Sequence, residues 1–559
     1  MRHLIPLALV LSACTSHVPY TGSIDPDLDR RIARELGGGA MVVAIVEGGE
    51  ITRFAGFGTV DPEGAVLPDA HTTFRIGSVS KLLTATTLMR LQEEGRVSID
   101  DPVTDVLPDF RLASETTRPV TPRDLLTHRA GLPSNLAPGM FSDAPQAPEA
   151  LLHALAQQEP IHEPGAWWAY SNPGFGVLGL TVQEAAGQPF EQAVSERIFE
   201  PCGMDGAGWD FASSIPPVMS GELADEGTGI SMPAAGSATM SVTDLAAFAT
   251  GLVHGGACAD GRILQADSLE QMWTRQDVGA LSGDVPMGLG FHVTDDLIDD
   301  AKVVGHTGDT LYFRTRLSMV PELDTAVVVL TNEGTAGELA SSVANEALFL
   351  ATGQESPSGD EAAPVDKDAL TDGELDGMAG LYATSSGPLH LRRSGGALVG
   401  DLRGRSLRFV PAEGGLLRAG GVALGLFPKR IPGAEFRVTR VQGETLLQQR
   451  PAGSAWTTLG SRVPDLGDDH GWHDRAREWR RSGDDSADRL HFPSATLEVR
   501  DGHLFLTLHS TPAELGMDIE AVLIPLDAER ARIAGIGRGL GDVVTVRDGV
   551  LSVKGLTFE

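Results

Sequence analysis

Between Phe74 and Leu91 the chain sets Ser78 three residues ahead of Lys81, at the head of an apolar run that starts at Leu82. Val79, Leu82, Leu83, Leu88 and Leu91 recur at helical spacing. That spacing predicts Ser78 at or near a helix N-terminus, with Lys81 one turn further on and on the same face. Free backbone N–H groups and the helix dipole favour negative charge beside the serine oxygen. The same positive end disfavours a protonated lysine, and burial disfavours it further. A neutral amine within reach of a hydroxyl is a general base for a nucleophile. Taken alone, these residues fit a helix start with a serine cap and a solvated lysine better than a catalytic pair.

Two later stretches bear on that choice. Tyr170-Ser171-Asn172 lies within Trp167-Trp168-Ala169-Tyr170-Ser171-Asn172-Pro173-Gly174-Phe175, and His306-Thr307-Gly308 follows Val303-Val304. With Ser78-x-x-Lys81 these motifs, in this order, resemble the serine β-lactamase-like superfamily, closest to its class C β-lactamase, esterase and D-aminopeptidase branch. Arg75 to Lys81 looks like that family's segment around the nucleophile, and Leu125 to Leu132 looks like its second signature. The resemblance covers roughly residues 25 to 353. It implies an α+β fold: an antiparallel sheet flanked by helices, a helical lobe, and a cleft at their junction. It also implies an enzyme, a serine hydrolase acting through an acyl-enzyme.

By this resemblance Ser78 attacks the carbonyl, and Lys81 and Tyr170 share the proton work. A tyrosine of ordinary pKa, about 10, is a poor base at neutral pH, so it needs a cation nearby. Lys81 supplies one, and the two are expected to titrate as a pair. Asn172 orients Lys81 or the substrate amide. His306, Thr307 and Gly308 belong to the substrate side, and the backbone N–H groups of Ser78 and Asp309 hold the oxyanion. Nothing in this chemistry asks for a metal or a cofactor. Each role has a rival reading. Tyr170 and the adjoining Trp167 and Trp168 also fit core packing, and His128 reads as a structural residue at a helix end.

His306 departs from the pattern, since many β-lactamases have Lys there. A lysine is a permanent cation that can attract a β-lactam carboxylate, whereas a histidine of ordinary pKa is mostly neutral at pH 7. The expected substrates are therefore small molecules or peptides with an ester or amide carbonyl, in esterase or D-amino-acid peptidase style, ahead of a β-lactam. The alternative is an envelope-tethered protein that binds penicillin or peptidoglycan without turnover.

The N-terminus reads Met1-Arg2-His3, an apolar run from Leu4 to Val10, then Leu11-Ser12-Ala13-Cys14. A positive start, a short apolar run and small residues make a secretory signal over residues 1–13; the run is too short to span a bilayer. Leu-Ser-Ala-Cys resembles a bacterial lipoprotein box, which implies a lipid on Cys14, a tether over 14–24, and an anchor in the outer membrane facing the periplasm. An ordinary cleaved signal with an incidental cysteine is the rival. With 43 basic residues against 76 acidic ones the net charge is −33, which argues against a nucleic-acid partner. Cys202 and Cys258 either pair in an oxidising compartment or are two small core residues; both readings stay open.

At 559 residues the chain is expected to hold about three domains. Asp25-Pro26 opens a helix that runs to about Leu36, and strands are expected over 40–46 and 51–58. Thr121 caps a helix that Gly131 stops, and residues 132–148 read as a loop near the site. Helices over 174–186, 190–199 and 242–253, strands over 303–307, 311–320 and 326–331, and a helix over 336–350 complete the first unit, residues 25–353. Residues 354–372 read as a linker. Residues 373–559 read as all-β, with hairpins about Gly395-Gly396, Gly443, Asp501-Gly502 and Asp548-Gly549. The polar stretch 464–488 divides them into halves of about 373–465 and 489–559, and the resemblance implies a lipocalin-like barrel. His470 and His473 read as part of a solvated loop.

Overall fold

The computed structural model describes residues 22–559 apart from 61–65, 137, 139, 210, 212, 226, 228, 277–285, 300, 356–365, 367–368, 403–404, 420–434, 442, 451–455, 466, 483–490, 512–517 and 536–538. The expected signal, Cys14 and most of the tether lie outside the described residues, as does much of the expected linker.

Six antiparallel strands build the first unit's sheet, in the spatial order Glu50–Gly58, Ala40–Glu47, Thr325–Thr331, Arg314–Val320, Ala301–Asp309, His292–Ile298. The strand Ala40–Glu47 is apolar on both faces because both faces are covered. Met41, Val43 and Ile45 pack with Leu28 and Ile32 of the Pro26–Glu35 helix and Val343 and Ala347 of the Gly337–Thr352 helix. Val42, Ala44 and Val46 face the other way, into the core shared with the helical lobe. The period of two along one strand thus joins the two cores of the unit.

Local signals set the helix starts. Asp25 accepts hydrogen bonds from the N–H groups of Asp27 and Leu28, with Pro26 at the first helical position. Thr121 and Ser241 each make a capping box with the aspartate three residues on. The Ser80–Glu93 helix is buried almost all round, as its apolar run requires.

Several boundaries differ from expectation. The Pro122–Leu126 helix stops short of Gly131, because His128 turns into the left-handed region at φ 54°. The segment 190–199 is helical over Phe190–Val194 and widens to a π-turn over Ser195–Phe199. The strand expected from 311 starts at Arg314, because Thr310 and Phe313 close a tight turn before it. Cys202 and Cys258 are disulfide-bonded.

The C-terminal half is all-β. Eight strands from Gly380–Thr384 to Thr457–Arg462 form a closed barrel. Eight more, from Arg477–Arg480 to Leu556–Phe558, form a consecutive sheet. Its ends meet where Arg480 and Glu559 exchange backbone hydrogen bonds, so it nearly closes as well. The second sheet begins at Arg477 and not at 489, as the charge pattern suggested. The polar stretch hides two anchors, Trp472 and Trp479, both buried in the second core; the Trp472 indole donates to the Asp527 carbonyl. His470 and His473 are exposed beside them. Among the described residues, no group of three or more His, Cys, Asp or Glu side chains is placed to hold a metal. No described helix is long and apolar enough to cross a membrane.

Candidate active site

Ser78 sits in a single 3-10 turn, Gly77–Val79, that runs straight into the Ser80–Glu93 helix. Gly77 takes φ 51°, and a Cβ there would stand 3.0 Å from the backbone nitrogen of Asp309. A Cβ at Gly308 would stand 1.9 Å from the Ile76 carbonyl oxygen. These two glycines let the end of the Ala301–Asp309 strand press against the serine turn, which brings the Asp309 N–H beside it. Ser80 pins the turn from behind, donating to the Gly77 carbonyl at 2.7 Å and accepting from the Ala238 N–H at 3.1 Å.

Lys81 is fully buried. Its Nζ donates to Ser78 Oγ at 3.0 Å, to Asn172 Oδ1 at 2.7 Å and to the Ala235 carbonyl at 2.7 Å. The Tyr170 hydroxyl donates to Ser78 Oγ at 2.7 Å. Lys81 and Tyr170, far apart in the chain, therefore meet at the Ser78 oxygen, and Asn172 joins them through the Lys81 amine. Asn172 is fixed from its other side, its Nδ2 donating to Asn135 Oδ1 at 2.6 Å.

The Tyr170 loop is built on His128. The His128 carbonyl accepts from the Ala169 N–H at 2.8 Å, and its Nδ1 accepts from the Ser171 N–H at 3.1 Å. Its ring lies 4.3 Å from the Tyr170 ring, centroid to centroid. The left-handed backbone at His128, which shortens its helix, lets it hold both amides. Ser171 then caps the Asn172–Ala186 helix by accepting from the Gly174 N–H. One chain crossing thus delivers the phenol to the serine and starts the helix that carries Asn172. Trp168 packs with Tyr170 and Met287 in a small buried cluster, whereas Trp167 packs against the barrel, on Leu446.

On the sheet side, His306 is buried with its ring stacked on His292 at 4.4 Å and 6.4 Å from the Tyr170 ring. Register puts the pair together, since His292 stands opposite Gly305 across the sheet edge. Burial, then the neighbouring His292 and Lys81, hold the His306 imidazole well below its ordinary value. Burial and the Lys81 charge push His292 down to about 4. Both rings are therefore neutral at pH 7. The Thr307 side chain is exposed, and the Asp309 carboxylate turns away to Arg316 at 2.9 Å. Sequence reasoning missed Asn135, Ala235 and His292. Asn135 lies in the loop expected near the site, whereas a backbone carbonyl and a lone histidine at a strand start give no pattern to find.

A helix-backed antiparallel sheet with a serine turn wedged between its edge and a helical lobe is the layout of the serine β-lactamase-like superfamily. The Beta-lactamase family model matches residues 28–351, more than half of the chain, and the chain belongs to that family. It is 30% identical over 258 residues to PbpX of Bacillus subtilis (strain 168), covering 44% of this chain and 61% of that protein. It is 34% identical over 197 residues to the esterase EstB of Burkholderia gladioli, covering 33% of this chain and 49% of that one. The chain thus spans about half to three fifths of the length of these relatives. Among solved structures, the octameric penicillin-binding protein homologue from Pyrococcus abyssi aligns with TM-score 0.53 and 19% identity over 86% of this chain and 98% of that one. The structure of SurE aligns with TM-score 0.54 and 23% identity over 78% and 98%. At these identities the two structures speak to fold alone.

Proposed function

We propose that this protein is a serine hydrolase that forms an acyl-enzyme at Ser78 from ester or amide carbonyls, in esterase or D-amino-acid peptidase style, with β-lactams as poor substrates at most. The observation that carries this reading is the contact of Ser78 Oγ with both the Lys81 amine and the Tyr170 phenol, in a site where the amine is wholly buried. One of those two groups must give up its own proton before it can take the serine's. Attack by Ser78 Oγ then builds negative charge on the carbonyl oxygen, for which the N–H groups of Ser78 and Asp309 are the donors. Losing one such donor costs roughly 3 kcal/mol of barrier. The proton passes to the leaving group, and water later attacks the acyl carbonyl with the same groups acting as base.

Substrate choice follows from the sheet side. The His306–His292 stack offers no cation where a carboxylate-bearing substrate would need one, so a neutral ester or amide suits it better. PbpX and EstB share the family across the matched region and support a reaction at a carbonyl, but not a particular acyl group.

We place the protein at the cell envelope, lipid-anchored through Cys14. The apolar run from Leu4 to Val10 supports export, and the Cys202–Cys258 disulfide suits an oxidising compartment. Labelled palmitate on Cys14 tests the anchor; an exported chain without lipid removes it.

A panel of short esters, D-alanyl peptides and a chromogenic cephalosporin, run beside a fluorophosphonate label, tests the reaction. The expected result is ester or D-peptide turnover with label on the wild type and none on Ser78→Ala. A wild type that takes no acylating probe sinks the hydrolase and leaves a binding protein.

A further inference from the structure

The proposed chemistry uses none of the residues beyond 353, yet the C-terminal half touches the first unit at two informative places. Along the barrel strand Glu444–Arg450, Leu447 points into the barrel core, so its neighbour Leu446 points outward. Trp167 packs there against Leu446, with Val441 on the same leucine, and the His162 ring lies 4.5 Å from the Trp167 indole. The second sheet approaches as well. A Cβ at Gly541 would stand 3.3 Å from Ile161, and one at Gly555 would stand 3.2 Å from Pro138 and 3.8 Å from Leu136. Arg530 comes within 3.9 Å of Glu159.

These contacts fall on the two segments that serve the reacting groups. Leu136 follows Asn135, which holds Asn172. Trp167 precedes Tyr170, which holds Ser78, by three residues. The chain from 156 to 171 has no helix or strand to stiffen it, so side-chain contacts and a few backbone bonds fix it. The Trp167 indole N–H is buried without a hydrogen-bond partner among the described residues, so packing alone holds that ring.

We propose that the C-terminal region clamps these two segments, and that Trp167, seated on Leu446, is the positioning residue that keeps the Tyr170 hydroxyl against Ser78. The proposal rests on the hydrolase reading. Its physical basis is that reacting groups tolerate little displacement, a shift near 1 Å costing about a hundredfold in rate. The clamp gives the extra domains a task in acylation without any of their atoms entering the reaction. Because the lever acts on the catalytic phenol, loosening it lowers the acylation step and spares substrate binding.

The test is Leu446→Asp in the full chain. The substitution lies outside the barrel core, so the barrel keeps its packing. Three quantities are read: amide hydrogen exchange over residues 165–171, the fluorophosphonate acylation rate per titratable serine, and KM for a short ester. The expected result is faster exchange in that segment and an acylation rate at least about tenfold lower, with KM for a short ester within about twofold. Trp167→Ala should reproduce the loss, and Trp167→Phe should restore most of it. A merely structural role would lower the number of titratable serines but not the rate of each. An acylation rate within about twofold of wild type in Leu446→Asp and Trp167→Ala overturns the clamp, whatever the exchange shows. If the wild type takes no acyl probe, the hydrolase reading falls and exchange alone decides: a rise confined to 165–171 upholds the clamp, and unchanged exchange overturns it.

Discussion

In the first unit Lys81, Asn172, His306 and Glu333 are buried polar or ionisable groups, whereas the large buried side chains of the C-terminal half are Trp472, Tyr382, Phe409 and Phe436. Each choice has a local logic. Glu333 accepts from the N–H groups of Ser220, Gly221 and Thr335 and so ties a loop to the sheet. Lys81 donates to Ser78, Asn172 and the Ala235 carbonyl. Taking an amine wholly out of water is costly, and the proposed proton transfer is what that cost supports. In the barrel and the second sheet, apolar anchors at alternate positions build the cores, and the buried Asp542 carboxylate is paired with Lys554. The proposed chemistry is thus confined to the first unit, and substitutions should separate it from the stability of the C-terminal region.

The largest separation is expected at the site. Lys81→Met and Tyr170→Phe should each slow acylation at least about a hundredfold, the lower range for general-base work. Lys81→Met should leave Tm unchanged or raised, since an apolar isostere replaces a desolvated amine. Near-normal acylation in either variant would remove that residue's role, and a collapsed Tm for Lys81→Met would make the lysine a scaffold. The converse variant is Leu551→Ala, in the second core. It should cost about 2–5 kcal/mol by denaturant unfolding, with acylation per titratable serine unchanged. A matching fall in acylation would erase the contrast between the halves.

A pH effect of similar size belongs to the first unit. Burial pushes His162 down to about 4, so the unfolded chain binds more protons than the folded one between about pH 6.5 and 4. Stability from this residue is therefore present above that window and lost as pH falls through it, to the extent of roughly 3 kcal/mol. His162→Phe should flatten that part of the unfolding-versus-pH curve. A curve with the same slope in the variant would assign the loss to other groups. The smallest expected effect is a cap. Ser241→Ala should cost about 1 kcal/mol in Tm-derived stability and nothing in acylation.

Much of the fold was legible because its signals are local. Asp25-Pro26, Thr121 and Ser241 announce their helices through side chains that bond the first turn. Asp501-Gly502 and Asp548-Gly549 mark hairpins, since φ is positive at both residues of each turn. Ser78, Lys81, Tyr170 and Asn172 could be read from type, spacing and order. What stayed hidden depends on register or backbone. His292 matters only because it stands opposite Gly305, and Ala235 contributes a carbonyl that any residue would carry. Trp472 and Trp479 stayed hidden inside the polar stretch read as a divider, because two indoles are enough to anchor a strand that is otherwise polar. Trp167 fits core packing by its sequence, and its partner Leu446 lies in a barrel nearly three hundred residues away along the chain.

The central claim is that Ser78 becomes acylated. Quenching the wild type during turnover of a short ester, digesting with trypsin and mapping the adduct by mass spectrometry tests it directly, since cleavage after Arg75 and Lys81 isolates the peptide Ile76 to Lys81. The account predicts one acyl group on that peptide, placed on Ser78 by fragmentation and absent from Ser78→Ala. Turnover with the acyl group on another residue, or with no covalent adduct under conditions that trap one, would contradict it.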